Sequence, residues 1–266
     1  MNIFLSADIE GTCGIAAWEE TEREPACLPF RAQMSREVAA ACQGALDAGA
    51  LRVLVKDGHY AARNIDAAVL PEAVQINRGW SGDVYGMMSG IQRGDWDAVL
   101  FTGYHAPAGS GGNPLAHTRR LEADCVEING QRASEFLINA YMAGYHDVPV
   151  CFVSGDAAVC ECARRLIPAI SVVAVNKGDG DSSTSLHPDA AVRRIGEAVR
   201  EVLDSERYHD CVVPMPDGFD IRIRYKKPAD AYHFSFYPGA ELADEQTLRF
   251  SCEDYMDAMR LFHFVL

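Results

Sequence analysis

Three apolar runs in this chain end on side chains of the kind that bind metal ions. Residues 3–14 read IFLSADIEGTCG, so one run stops at Asp8, a single spacer and Glu10. LRVLVKDGH (51–59) delivers His59, and DAVLFTGYH (97–105) delivers His105. Taken singly, an aspartate after a strand is a turn former and a histidine there is a hydrogen-bonded side chain. Their combination points further. In an open parallel sheet the carboxyl ends of the strands converge on the ligand crevice, so three such strands bring two carboxylates and two imidazoles to one edge. Oxygen and imidazole donors together suit zinc, with manganese, cobalt or iron as alternatives. On an extended backbone, side chains two apart face the same way, so Asp8 and Glu10 address one cavity while Ile9 returns to the core. A carboxylate can bridge two cations held about 3.5 to 4 Å apart, and Asp8 is the candidate bridge. Gly11 and Gly14 let the chain turn away without crowding the ions. Asp57, two residues before His59, reads either as a turn residue or as the acceptor of the other ring N–H of that histidine.

The elements that must carry these residues are legible as alternating patterns. Apolar, β-branched runs at 2–7, 51–56, 97–103, 148–153 and 170–175 read as buried strands because none alternates apolar with polar. Helical patterns lie between them at 30–48, 133–145, 156–166 and 188–203. Alternation of this kind predicts an α/β fold, a mainly parallel sheet with helices on both faces. From about residue 213 the character changes. FDIRIRY (219–225) alternates strictly, followed by a helix at 228–234, a turn at Pro238-Gly239, a strand near 247–251 and an amphipathic helix from Glu253 to Phe264. The expected division is a core over 1–212 and a smaller C-terminal α+β appendage over 213–266 that covers the sheet or makes subunit contacts.

Composition narrows the classes of partner. The 266 residues carry 24 basic and 38 acidic side chains, a formal charge of −14 that repels a phosphate backbone and excludes nucleic acid as a partner. No run approaches the roughly 18 apolar residues of a membrane span, and no basic leader precedes the first strand, so no membrane partner and a cytoplasmic location are expected. The nine cysteines are scattered and form no CxxC pair, which suits reduced thiols rather than a disulfide framework. Cys160 and Cys162 fall in a helix, where positions i and i+2 point apart, and do not read as a metal pair. The loop 106–118 (APAGSGGNPLAHT) is rich in glycine and proline but has no GxxxxGK[ST], so it reads as a mobile lid carrying His117 rather than a phosphate cradle. His146, His187, His209, His233 and His263 have no comparable setting.

SADIEG near the N-terminus, KDGH at 56–59, GYHA at 103–106, His117, and Glu135 within SEFLINAYMAGYHDVPV resemble the D-aminopeptidase family of zinc metallopeptidases. The resemblance spans the whole chain, through YPGAEL at 237–242 to the final helix. It implies two zinc ions per subunit bridged by Asp8, one completed by Glu10 and His105 and the other by His59 and Glu135. His117 matches the family's proposed catalytic residue; the metals supply an attacking water, so His117 reads better as a proton shuttle or oxyanion stabiliser than as a nucleophile. Glu135 is identified only through the resemblance, since a glutamate opening a helix is ordinarily a surface residue complementing the helix dipole. Ser134 and Arg132 are alternative groups for capping or orienting that turn.

The implied activity is removal of an N-terminal residue, a D-amino acid such as D-Ala, from short peptides. The implied assembly is a ring-like homo-oligomer, with a decamer as the candidate size. Two departures bear on substrate preference. The loop between His105 and His117 is one residue longer than the family type, and 176–188 (NKGDGDSSTSLHP) lacks the expected basic and serine pattern, leaving only Lys177 as a candidate substrate contact there. The rival readings are a binuclear phosphoesterase or another amidohydrolase on the same metal core, and a non-catalytic metal-binding assembly protein.

Overall fold

A computed structural model describes all of residues 1–266. Its strands are β1 (Asn2–Ala7), β2 (Arg52–Asp57), β3 (Val74–Asn77), β4 (Ala98–Tyr104), β5 (Ala123–Ile128), β6 (Gln131–Arg132), β7 (Val150–Asp156), β8 (Ser171–Asp179), β9 (Ser182–Ser185), β10 (Phe219–Tyr225), β11 (Glu241–Leu242) and β12 (Thr247–Cys252). Its α-helices are α1 (Glu19–Glu22), α2 (Leu28–Asp47), α3 (Glu135–Tyr145), α4 (Ala157–Leu166), α5 (Pro188–Asp204), α6 (Pro228–Phe234) and α7 (Tyr255–Val265). None of the helices is long and apolar enough to cross a membrane.

The larger sheet has the order β3-β2-β1-β4-β7-β8-β9, and every pairing is parallel except β8 with β9. Every residue of β4 and β7 is buried. Because successive side chains point to opposite faces, burial at every position means that both faces are covered. Helices α2 and α5 pack on each other and against β2, β4, β7 and β8, while α3 and α4 pack together against β4, β7 and β8. The chain runs outward from β1 to β2 and β3, then returns to place β4 on the other side of β1. That reversal is the topological switch point where open α/β sheets open a crevice. The expected α/β class, with its mostly parallel sheet flanked by helices, is the observed one.

The smaller sheet is antiparallel, in the order β11-β12-β10-β5-β6. As its alternation predicts, β10 buries Phe219, Ile221, Ile223 and Tyr225 and turns Arg222 and Arg224 outward. Residues 213–266 do not build this sheet alone, because β10 pairs with β5 from the middle of the chain. β12 of the C-terminal segment pairs with one edge of β10, and β5 satisfies the backbone groups of the other. Strands β3, β5, β6, β9 and β11 escaped the sequence reading: β3, β6 and β11 are short, SSTS of β9 has no apolar residue, and ADCVEI of β5 is neither an unbroken apolar run nor a strict alternation.

Two glycines fix how closely the switch-point strands approach. Gly103 has φ of +70°, and a Cβ there would stand 2.1 Å from the Asp8 carbonyl oxygen; a Cβ on Gly11 would stand 1.8 Å from that of Tyr104. The Gly11 N–H donates to Gly103 O and the Asp8 N–H to Thr102 O, both at 2.8 Å. Gly103→Ala combines a left-handed backbone with a backbone collision and is expected to cost about 3 kcal/mol of stability. Gly49→Ala, also at positive φ but with nothing within 4 Å, should cost about 1 kcal/mol. Urea unfolding of the two variants checks the contrast, and equal losses would refute the close-approach argument.

Candidate metal centre

The residues that carry the chemistry stand just beyond the ends of their strands. β1 stops at Ala7, and Asp8 to Gly11 form a turn in which the Thr12 N–H donates to Ile9 O at 2.8 Å and Asp8 Oδ1 accepts from the Ile9 N–H at 2.9 Å. Asp8 and Glu10 therefore face one cavity because of this turn, and not through the pleat of an extended strand. Ile9 is fully buried on the other side, as expected. His59 follows the end of β2 and His105 the end of β4. Glu135 is the first residue of α3, whose N-cap is Ser134: its hydroxyl accepts from the Leu137 N–H at 3.2 Å. Arg132 instead donates to Gly109 O at 2.6 Å, so it ties down the preceding loop and does not cap the helix.

The six side chains meet. His59 Nδ1 lies 3.0 Å from Glu10 Oε1 and 3.6 Å from Asp8 Oδ1, and His105 Nε2 lies 3.4 Å from Asp8 Oδ2 and 3.8 Å from Glu135 Oε1. His117 Nε2 is 3.5 Å from Glu135 Oε1 and 3.8 Å from Glu10 Oε1. Donor atoms of Asp8, Glu10 and His59 lie within 4.8 Å of one another, as do those of Asp8, His105 and Glu135, and those of Glu10, His105 and His117. Asp8, Glu10 and His105 are each common to two groups, and the two that share Asp8 hold all five expected ligands between them, the arrangement a bridging carboxylate requires. Glu10 falls in one group with His59 and in another with His105, the partner the resemblance implies for it, and Glu135 falls in a group with His105.

Two of the imidazoles have a set tautomer. His105 Nδ1 lies 2.9 Å from Ala106 O and His117 Nδ1 lies 2.9 Å from Leu115 O. A carbonyl only accepts, so each Nδ1 carries the hydrogen and each Nε2 lone pair is aimed into the site. The two rings stack at 4.4 Å with planes 4° apart, and Trp18 closes on His117 edge-on at 5.2 Å.

Supporting groups lie one layer out. The Asp156 carboxylate caps α4 through the Val159 N–H (2.7 Å), accepts from the Ala106 N–H beside His105 (2.6 Å), and accepts from Asn113 Nδ2 (3.0 Å). Asn113 also donates to Glu10 O, and Asn176 to Thr12 O, both at 3.1 Å. The 106–118 loop is thereby pinned, and the lid expected there is a fixed wall. Neither Asp156 nor these amides stood out in the sequence, where DAA after a strand and isolated asparagines read as caps and turns. Asp57 does not reach the His59 ring. It accepts from the Asn64 and Ile65 N–H groups and from Asn64 Nδ2, and Asn64 Nδ2 in turn holds His59 O at 2.7 Å, so Asp57 shapes the loop rather than the imidazole. Lys177 sits exposed on β8 and does not line the cavity; its neighbour Asn176 is the residue that turns inward.

Charge burial is severe here. Asp8, Glu10, His59, His105 and Glu135 are each at most 5% exposed. Burial pushes the Asp8 carboxyl up, yet hydrogen bonds and charge from His105 and His59 outweigh it and hold Asp8 well below the usual carboxylate range. Burial likewise opposes the charge on His59, but Glu10 and Asp8 raise its pKa to about 10, and Asp8, Glu135 and Glu10 raise that of His105 as well. Asp8 Oδ2, Glu10 Oε2, His59 Nε2 and His105 Nε2 are buried without any hydrogen-bond partner. Buried polar atoms are rarely left so, and a carboxylate-imidazole set with unused lone pairs fits a zinc site.

The family model for D-aminopeptidases, peptidase M55, matches residues 1–264. The D-aminopeptidase of Bacillus subtilis strain 168 is 30% identical over 268 residues, spanning 97% of this chain and 94% of that protein. Among solved structures, the zinc-dependent D-aminopeptidase DppA from Bacillus subtilis, a self-compartmentalizing protease, superposes with a TM-score of 0.91 at 26% identity, covering 100% of this chain and 96% of that one.

Metal binding at these imidazoles must displace their protons. With its pKa raised to about 10, His59 is protonated in the folded, metal-free protein near pH 8, where a free imidazole of pKa about 6.5 is neutral. Zinc added to the metal-free protein near pH 8 in weak buffer is therefore expected to release protons, with affinity falling as pH falls. A pH indicator reads the release, and stoichiometric zinc binding without it would contradict the electrostatics. Asp8→Asn should reduce zinc content more than Glu10→Gln does, measured by elemental analysis, because Asp8 is common to the two groups that between them hold all five expected ligands.

Proposed function

The chain belongs to the D-aminopeptidase family, and from that premise we propose that it is a zinc-dependent aminopeptidase that removes an N-terminal residue, of the D-alanine type, from short peptides. The observation that carries this reading is the convergence of three buried carboxylates and three imidazoles, with unpartnered donor atoms, at a cavity of about 360 Å³ that Asp8, Glu10, His59, His117 and Glu135 line. That volume is near the lower end for small-molecule sites and suits a small peptide. Asp8, Glu10, His59, His105 and Glu135 would hold two zinc ions, with Asp8 shared between them. Bound there, zinc polarises a scissile carbonyl and makes a water acidic enough to attack near neutral pH.

The remaining work falls to residues of the chain. His117 is the candidate catalytic residue. Its Nε2 lone pair faces the site while its Nδ1–H is fixed on Leu115 O, so it can take a proton and hand it to the departing amine. Stacking on His105 and the edge of Trp18 hold the ring in that orientation. Glu135, anchored by the Arg119 N–H at 2.6 Å, cannot swing away from His105 without breaking that bond.

The expected assembly is a homo-oligomer, of the ring-like decameric kind. It is supported by the exposed apolar side chains of the C-terminal segment, Tyr232, Phe236, Leu242 and Phe264, of which Tyr232 and Phe236 pack edge to face at 5.3 Å. A cytoplasmic setting accords with nine cysteines that are all free.

Chelator-sensitive release of D-alanine from D-Ala-D-Ala is the expected outcome. L-Ala-L-Ala and p-nitrophenyl phosphate serve as comparisons, and faster turnover of the phosphate ester would replace this reading with a phosphoesterase. His117→Ala should retain its zinc while kcat falls by about 10²- to 10⁴-fold; turnover that persists in that variant would remove the histidine from the mechanism. Light scattering should give a mass several times that of one chain, lowered by Phe236→Asp.

A further inference from the structure

Arg119 presents an arrangement that the metal ligands do not account for. Its backbone N–H is bonded to Glu135 Oε1, so the residue sits directly against the ligand wall, in a left-handed conformation (φ +58°) that turns the chain there. Its side chain lines the same cavity as Asp8, Glu10, His59 and His117. It passes beside Gly86, where an added Cβ would lie 3.6 Å from Nη2. Its Nε and Nη2 are buried and have no hydrogen-bond partner in the protein. The ion-pair partners of Glu135 are His105 and His117, not this guanidinium.

A guanidinium stays charged at any working pH and offers a planar fork of donors that matches a carboxylate two bonds at a time. A cation held out of water with its donors unused is costly unless a ligand completes it. The distances fit a particular ligand. In a dipeptide the terminal carboxylate lies one residue beyond the scissile carbonyl, about 3.8 Å from Cα to Cα. A carbonyl placed over His105 and Glu135 thus carries the carboxylate into reach of a side chain that starts beside Glu135.

We propose that Arg119 is the carboxylate anchor of this site, pairing with the free C-terminal carboxylate of a dipeptide and so selecting peptides whose first bond is also their last. The inference rests on the aminopeptidase reading above and adds the end of the substrate that the metal site does not touch.

The test compares kcat/KM for D-Ala-D-Ala and for D-Ala-D-Ala amide in zinc-loaded parent, Arg119→Gln and Arg119→Lys proteins. The parent is expected to prefer the free acid by about ten- to a hundred-fold, the range for a charge-assisted pair. In Arg119→Gln that ratio collapses toward one, with the loss in KM for the acid, and Arg119→Lys recovers part of it. Equal loss on both substrates, as an oxyanion-stabilising role would give, overturns the anchor, as does loss of zinc. If Arg119→Gln does not fold, the parent ratio and the lysine variant decide, and a parent that cleaves acid and amide equally overturns the proposal. A zinc-loaded parent that cleaves neither overturns the aminopeptidase reading, and the anchor with it.

Discussion

Three carboxylates withdrawn from water within a few ångströms of one another are the constraint around which this molecule is arranged. Asp8, Glu10 and Glu135 repel each other, and a low-dielectric surround strengthens that repulsion. Without a cation, three imidazoles gather around them, and two, His59 and His105, are drawn toward the protonated form; the His59 pKa is lifted to about 10. Protons are an incomplete answer, because four buried donor or acceptor atoms of the cluster still have no partner. Divalent ions meet the charge and the unused lone pairs together.

The architecture can be read as the means of holding that charge still. Three parallel strands end side by side at the switch point, and the turn after β1 is locked against β4 by two backbone hydrogen bonds that only glycine at 11 and 103 permits. Asp156, buried at the end of β7, spends its carboxylate on the amides of Ala106, Val159 and Asn113, so the loop bearing His117 is braced from beneath. Fixing the ligands before an ion arrives reduces the conformational entropy lost on binding.

The second sheet serves the same end from a distance. β10 crosses to β5, and β5 with β6 leads directly into Ser134 and Glu135, so the C-terminal strands steady the start of the helix that carries a ligand. The Tyr255 hydroxyl of α7 donates to Ile138 O at 2.6 Å, a second tie from the C-terminal segment to the same helix.

The sequence by itself determined the elements whose signal is local: buried strands as unbroken apolar runs, helices as periodic ones, and β10 as strict alternation. It also determined that Asp8, Glu10, His59 and His105 share one sheet edge, because parallel strands place every strand end on the same side. Resemblance to a family, not periodicity, singled out Glu135 and His117, since a helix-opening glutamate and a loop histidine have no pattern that separates them from surface residues. Tertiary structure alone decided the rest. Which imidazole faces which carboxylate depends on the turn at 8–11 and on where α3 begins, and neither is encoded in spacing along one strand. The borrowing of β5 by the C-terminal sheet, the bracing by Asp156, and the unpaired guanidinium of Arg119 arise between residues far apart in the chain. No local pattern can record such contacts, because hydrogen bonds and buried charge are properties of what surrounds a side chain, and only the fold brings the surroundings together.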